Sequence, residues 1–266
     1  MVDSLAQLSD VAIEAAEAAA DVVRRAGRVT GGADVKGEGD YVTQVDRDAE
    51  RAALSVLRRR TPDTPAVGEE GGGSTGAGPA WLVDPVDGTT NFMRGFPVVG
   101  VSVALVEDAR PLVGAVVAPA LGERWWAAAG RGAWDGHGRR LHLVSRAGRG
   151  VVSTGFPFRR KDRLAAYLPV MAEALRRFED LRRTGAASLD LAYSAAGVWD
   201  GFFELGLAPW DIGAGVLLVR EAGGVATDWN GDEQAMFDSG DILAGTRHAH
   251  EVLLDIARAH VAARSA

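Results

Sequence analysis

Two acids, Asp84 and Asp87, stand at the end of the apolar run Trp81-Leu82-Val83, and Gly88-Thr89-Thr90 follows them. Burying an unpaired carboxylate is costly, so acids at the end of a buried strand need a compensating partner. Glu69-Glu70 follow a second short apolar run, AVG, and Asp211 comes just after Trp210, where a helix is expected to begin. Carboxylate oxygens, backbone carbonyls and water suit hard cations such as Mg²⁺, Mn²⁺ or Ca²⁺. In DPVD the proline removes a backbone donor and fixes a bend that can turn Asp84, the Val86 carbonyl and Asp87 toward one point. Two cations ~4 Å apart, bridged by a carboxylate, clamp the attacking and leaving oxygens of phosphoryl transfer.

Gly88-Thr89-Thr90 supplies the opposite charge. A helix opening here presents free N–H groups to an anion, Gly88 lets a phosphate approach the backbone, and the Thr89 hydroxyl can orient a water. Each piece also has a bland alternative, since Asp before Gly-Thr is a common N-cap and Glu-Glu in a loop is commonly solvated. Together, both at strand ends, they point to a metal–phosphate site. Other chemistries are missing: there is no GxxxxGK[ST] loop, no GxSxG elbow and no cysteine, which removes thiolate catalysis, disulfides and Cys-type zinc sites. The five histidines lie in polar turns or near the last helix and read as surface residues.

The elements that must hold these groups follow from periodicity. Leu5, Leu8, Ala12, Ala15, Ala19, Val22 and Val23 keep helical spacing up to Gly27, and Val45, Ala49, Ala53, Val56 and Leu57 do so up to TPDTP. Between them VTGGADVKGEGDYVTQVD reads as a loop or hairpin. VVGVSVALVED, PLVGAVVAP and ERWWAAAG suggest an antiparallel meander. From about residue 150 strands and helices alternate, so the chain is expected to form two αβ layers, residues 1–149 and 150–266 of one compact unit. The 266 residues are ordinary globular material, and the net charge of −7 argues against a nucleic-acid partner. The N-terminus lacks a signal-peptide pattern and no apolar run reaches the ~20 residues that span a bilayer, so a cytoplasmic protein without a membrane partner is expected.

WLVDPVDGTTNF and WDIGAGVLLVREAGG resemble the two signatures of the inositol monophosphatase family, with VGEEG and DVKGEGDYVTQVD similar to its paired-glutamate strand end and lysine-bearing loop. The resemblance covers nearly the whole chain. It implies an α+β or α/β fold, a layered αβαβα sandwich with an antiparallel N-terminal sheet and a mixed C-terminal one. It also implies a homodimer acting on a small-molecule phosphate monoester with two or three Mg²⁺ per subunit, Mn²⁺ being an alternative, and inhibition by Li⁺. By motif position Glu69, Asp84 and the Val86 carbonyl would hold a first metal, and Asp84, Asp87 and Asp211 a second. Glu69 with water would hold a third, with Glu70 reached through water.

Thr89, hydrogen-bonded to Asp46, would position and deprotonate the attacking water, and Gly88, Thr89 and Thr90 would bind phosphate. Lys36 matches the loop lysine. Asp87, Ala187 and Glu204 would contact substrate, with Asp190 and Arg183 at the rim. The resemblance implies in-line attack by a metal-activated water, with inositol 1-phosphate the first-choice substrate. Histidinol phosphate and fructose 1,6-bisphosphate are the alternatives, and an inactive phosphate-ligand binding or regulatory protein is the reading from another class.

Overall fold

The computed structural model describes residues 4–27, 34–37, 40–72, 78–145, 148 and 150–262. In chain order the elements are α1 (Ser4–Ala26), β1 (Asp34–Gly37), β2 (Asp40–Val42), α2 (Gln44–Arg60), β3 (Ala66–Gly68), β4 (Ala80–Asp87) and α3 (Thr89–Arg94). Next come β5 (Gly100–Glu107), β6 (Arg110–Ala118), β7 (Glu123–Ala128), β8 (Gly132–Asp135), β9 (Val151–Thr154) and α4 (Leu164–Arg177). The chain continues through β10 (Asp180–Arg182), α5 (Ala187–Ala195), β11 (Gly201–Glu204), α6 (Pro209–Glu221), β12 (Val225–Thr227), α7 (Met236–Ser239), β13 (Ile242–Gly245) and α8 (Arg247–Ala262).

Strands β3-β4-β5-β6-β7-β8 form one sheet in that order, and β10-β9-β11-β13-β12 form a second. The apolar face of each helix decides where it sits. Ala12, Ala15, Ala19, Ala53 and Leu57 of α1 and α2 join Trp81, Val83, Val101 and Val103 on one face of the six-stranded sheet. Leu189, Leu191, Ile212 and Leu218 of α5 and α6 fill the space between the sheets. Tyr167, Val170, Leu253 and Ile256 of α4 and α8 cover the far face of the second sheet. The result is an αβαβα sandwich.

Three details differ from the expectation. β3 pairs with β4 in parallel, so the N-terminal sheet is antiparallel only from β4 onward. The short strand β10, whose DLR has no alternating apolar pattern, forms beside β9. His250, expected at the surface, is 5% exposed and shares a 2.8 Å hydrogen bond with Thr227, because its helix packs on the sheet along that face. Burial lowers its pKa. Of the Trp125-Trp126 pair, Trp125 is buried and Trp126 packs partly buried in the layer under α1. Among the described residues no helix is long and apolar enough to cross a membrane.

Candidate functional site

The end of β4 explains how acids three residues apart can work together. In an unbroken strand, side chains alternate between faces, so Asp84 and Asp87 would point opposite ways. Asp84 pairs with Ser102 and Asp87 with Gly100, so three steps on β4 oppose two on β5. This bulge at Pro85-Val86 resets the alternation, and a bulge is one of the few sheet positions that accepts proline.

Asp84 is 1% exposed. Its Oδ1 accepts the Val86 N–H at 3.0 Å. Glu69, just past β3, and Asp211, in the first turn of α6, approach it, so that one carboxylate oxygen from each of the three lies within 4.8 Å of the others. Asp211 is fixed because its Oδ2 accepts the Ala208 N–H at 2.8 Å, an acid three residues into a helix reaching back to its cap. Glu69 is held from below: the buried Glu50 of α2 accepts the N–H groups of Glu70 and Gly71, each at 2.8 Å. The Glu70 side chain is not among the groups lining the cleft.

Burial, then the charges of Glu69, Asp87 and Asp211, push the Asp84 pKa well up. Burial chiefly raises Asp87 and Asp211 to about 6, against two opposing hydrogen bonds from Ser188 on Asp87 and reinforced by Asp87 at Asp211. Arg159 lies 3.6 Å from Glu69 and its charge also opposes the rise at Asp211. A buried set of hard oxygen donors that repel one another fits a divalent cation.

Beside the acids, Thr89 Oγ1 has two acceptors at 3.1 Å, Asp46 Oδ1 and Val86 O. Asp46 is anchored by a capping box at the start of α2. Its Oδ2 accepts the Thr43 N–H at 2.9 Å and the Thr43 hydroxyl, while Thr43 Oγ1 accepts from Val45 and Asp46. Oδ1 is left for Thr89. Burial raises the Asp46 pKa. Gly88 caps α3 at φ 91°, a left-handed conformation that side chains resist. A Cβ there would also lie 3.1 Å from Gly185 O and Val98 O. The first turn of α3 leaves the N–H groups of Thr89 and Thr90 without helical acceptors, and both residues line the cleft.

The cleft holds about 360 Å³ and includes Glu69, Asp84, Val86, Asp87, Gly88, Thr89, Thr90, Ala187, Glu204 and Asp211 in its walls. Asp87 is not part of the 4.8 Å triad, though its charge acts on Asp84 and Asp211, and its Oδ2 accepts both the N–H and hydroxyl of Ser188. Lys36 lies in β1, its side chain outside the described residues. On the opposite wall Glu204 is 6% exposed. Its carboxylate fills the space beside Gly155, where a Cβ would fall 1.9 Å from Oε2. Burial, then the charge of Asp190, raises its pKa well above the ordinary value.

Arg183 lines the cleft as expected of a rim residue, over the Phe156 ring at 5.3 Å. Asp190 does not: it is 1% exposed, because α5 turns it inward under the loop, where it accepts the Thr184 hydroxyl at 2.7 Å. Burial lifts it to about 8. Glu50, Gly155, Arg159 and Ser188 were not legible as site residues. Glu50 alone carried a signal, four residues after Asp46 on the same face of α2.

The model of the inositol monophosphatase family matches residues 4–262. The chain belongs to that family. It is 42% identical over 230 residues to the Nus factor SuhB of Pseudomonas aeruginosa, covering 84% of each chain. It is 38% identical over 230 residues to a fructose-1,6-bisphosphatase/inositol-1-monophosphatase of Aquifex aeolicus, covering 85% of each. The crystal structure of the extragenic suppressor protein suhB from Bartonella henselae superposes with a TM-score of 0.87 at 35% identity, covering 94% of this chain and 98% of that one. The αβαβα sandwich of this member is thus shared with a solved relative of the same family.

Proposed function

We propose that the chain is a Mg²⁺-dependent phosphomonoester hydrolase, with inositol 1-phosphate as first-choice substrate. The observation that carries this reading is the convergence of Glu69, Asp84 and Asp211 beside Thr89, itself bonded to Asp46. Glu69, Asp84, the Val86 carbonyl, Asp87 and Asp211 would hold two or three Mg²⁺, or Mn²⁺, whose positive charge, when bound, stabilises the attacking and leaving oxygens.

The chain's own residues do the rest. Thr89 has one proton and two acceptors. When it donates to Asp46, its lone pairs can accept a hydrogen bond from a water in the cleft. Asp46, its pKa raised by burial, takes up the proton that water passes through Thr89, as a general base should. The N–H groups of Gly88, Thr89 and Thr90 meet the charge on the phosphoryl oxygens. Glu204 and the Ala187 backbone orient the alcohol, and Lys36 and Glu70 stand as outer contributors. The working unit in this reading is a cytoplasmic homodimer without a nucleic-acid partner.

Two observations favour other readings. The Aquifex relative's name joins fructose-1,6-bisphosphatase to the inositol activity, so that substrate competes, as does histidinol phosphate. The Pseudomonas relative's name, Nus factor, favours an inactive phosphate-ligand binding or regulatory protein. The test is phosphate release from inositol 1-phosphate, histidinol phosphate and fructose 1,6-bisphosphate with Mg²⁺, then with Li⁺ added. Release led by inositol 1-phosphate and suppressed by Li⁺ is expected. No release from any of the three would replace the enzyme reading with the regulatory one.

A further inference from the structure

Asp87 is the expected cation ligand that the tight acidic triad leaves aside, and the structure shows what holds it. Ser188 donates twice to Asp87 Oδ2, through its N–H at 2.7 Å and its hydroxyl at 2.6 Å, and the backbone of Ala187 also bonds the carboxylate. Ser188 is fully buried in the first turn of α5, next to Ala187 in the cleft wall. Room for the hydroxyl comes from the sheet. Gly100, opposite Asp87 on β5, has no side chain, and a Cβ there would lie 2.4 Å from Ser188 Oγ. The absent side chain at Gly100 therefore leaves room for both the Ser188 hydroxyl and Leu189, whose Cγ would lie 3.2 Å from that Cβ.

A carboxylate with one oxygen doubly bonded to a rigid helix turn cannot rotate freely. Groups that fix a ligating carboxylate in this way govern metal affinity, and removing them costs about 10- to 100-fold. Among the described residues the hydroxyl bonds Asp87 alone, and Ser188 is not part of the cleft lining, so direct contact with substrate gives it no task.

We propose that Ser188 is a positioning residue: its hydroxyl, admitted by the bare Gly100, locks the Asp87 carboxylate for a divalent cation and ties that cation to the substrate loop at Gly185–Ala187. The proposal rests on Asp87 being a cation ligand, as the phosphatase reading holds. Since Ala187 and Ser188 share one turn, occupancy of this cation site and binding of the alcohol are linked.

The experiment is a Mn²⁺ titration of the metal-stripped, full-length protein followed by electron paramagnetic resonance, with thermal melts alongside. Wild-type protein, Ser188→Ala, Gly100→Ala and the double variant are compared. In Ser188→Ala one class of Mn²⁺ sites weakens by about tenfold and another keeps its affinity. Gly100→Ala shows the same selective loss, because the new Cβ displaces the hydroxyl, and it also lowers the melting temperature. The double variant recovers part of that melting temperature, Leu189 Cγ still lying 3.2 Å from the added Cβ, but does not recover the Mn²⁺ site.

Wild-type affinity in both folded single variants overturns the proposal, as does an equal loss at all sites accompanied by a lowered melting temperature in Ser188→Ala. Should Ser188→Ala fail to fold, Gly100→Ala decides by the same readout. Wild-type protein that takes up no Mn²⁺ overturns the phosphatase reading and this proposal together. Uptake by wild type with unaltered uptake by the variants overturns the proposal alone.

Discussion

The two walls of the cleft both carry buried acids, yet they are built to different ends. On the β4 wall, Glu69, Asp84 and Asp211 bring one oxygen each within 4.8 Å of the others. On the β11 wall Glu204, and behind that wall Asp190 of α5, are as deeply buried, but they belong to no such converging group among the described residues. Burial is the leading cause of the raised pKa on both sides. What differs is the remedy. Three acids that converge cannot each be neutralised by a local donor, so a cation is the economical partner. A buried acid outside such a group can instead take up a proton, the direction in which burial pushes Asp190, to about 8, and serve as a hydrogen-bonding group.

The largest effects are expected at the acidic wall. Asp84→Asn and Asp211→Asn are expected to lower kcat by about 10³-fold, while the metal-free variants melt higher than wild type because a repelling charge is gone. Metal-free melts and turnover at saturating Mg²⁺ check both halves; activity near wild type would show that these acids hold no cation. Thr89→Ala comes next, with kcat down about 10²-fold and KM little changed. A loss confined to KM would move Thr89 from proton transfer to binding.

Glu204→Gln sharpens the contrast from the other side. KM should rise by roughly tenfold, with kcat and Mn²⁺ affinity held. A fall in Mn²⁺ affinity would mean that the two walls share the metal after all. The smallest effect is in pH. Asp87 and Asp211 titrate at about 6 without metal, so protons compete and Mg²⁺ affinity declines as pH falls below about 6. Asp190 has a folded pKa raised from 3.8 to about 8, so the native state binds the extra proton. Its contribution to stability is therefore fully present below about 4 and is lost as pH rises toward about 8. Asp190→Asn should flatten that dependence in melts of the metal-free protein.

Much of the acidic wall was legible because its chemistry is local. Asp84, Val86, Asp87, Gly88, Thr89 and Thr90 lie in one stretch, whereas the Thr43–Asp46 capping box was not read from the sequence although its residues are three apart. The opposite wall was not legible to the same degree. Asp190 reads like a rim residue from its neighbours, yet helix packing turns it inward, and the same kind of packing buries His250. Ser188 and Gly155 meet groups far away in the chain, so no spacing rule could mark them, and Glu50 had only its place one turn after Asp46.

The sequence by itself determined the strand end, the bulge-tolerant proline, the helix openings and the family, because each depends on residues within a turn or two of one another. Only the tertiary structure decided that α5 turns Asp190 inward, that Gly100 makes room for Ser188, and that Glu204 rests against Gly155. These depend on how sheets and helices stack. That stacking is fixed by apolar faces distributed over the whole chain, and no short stretch carries it.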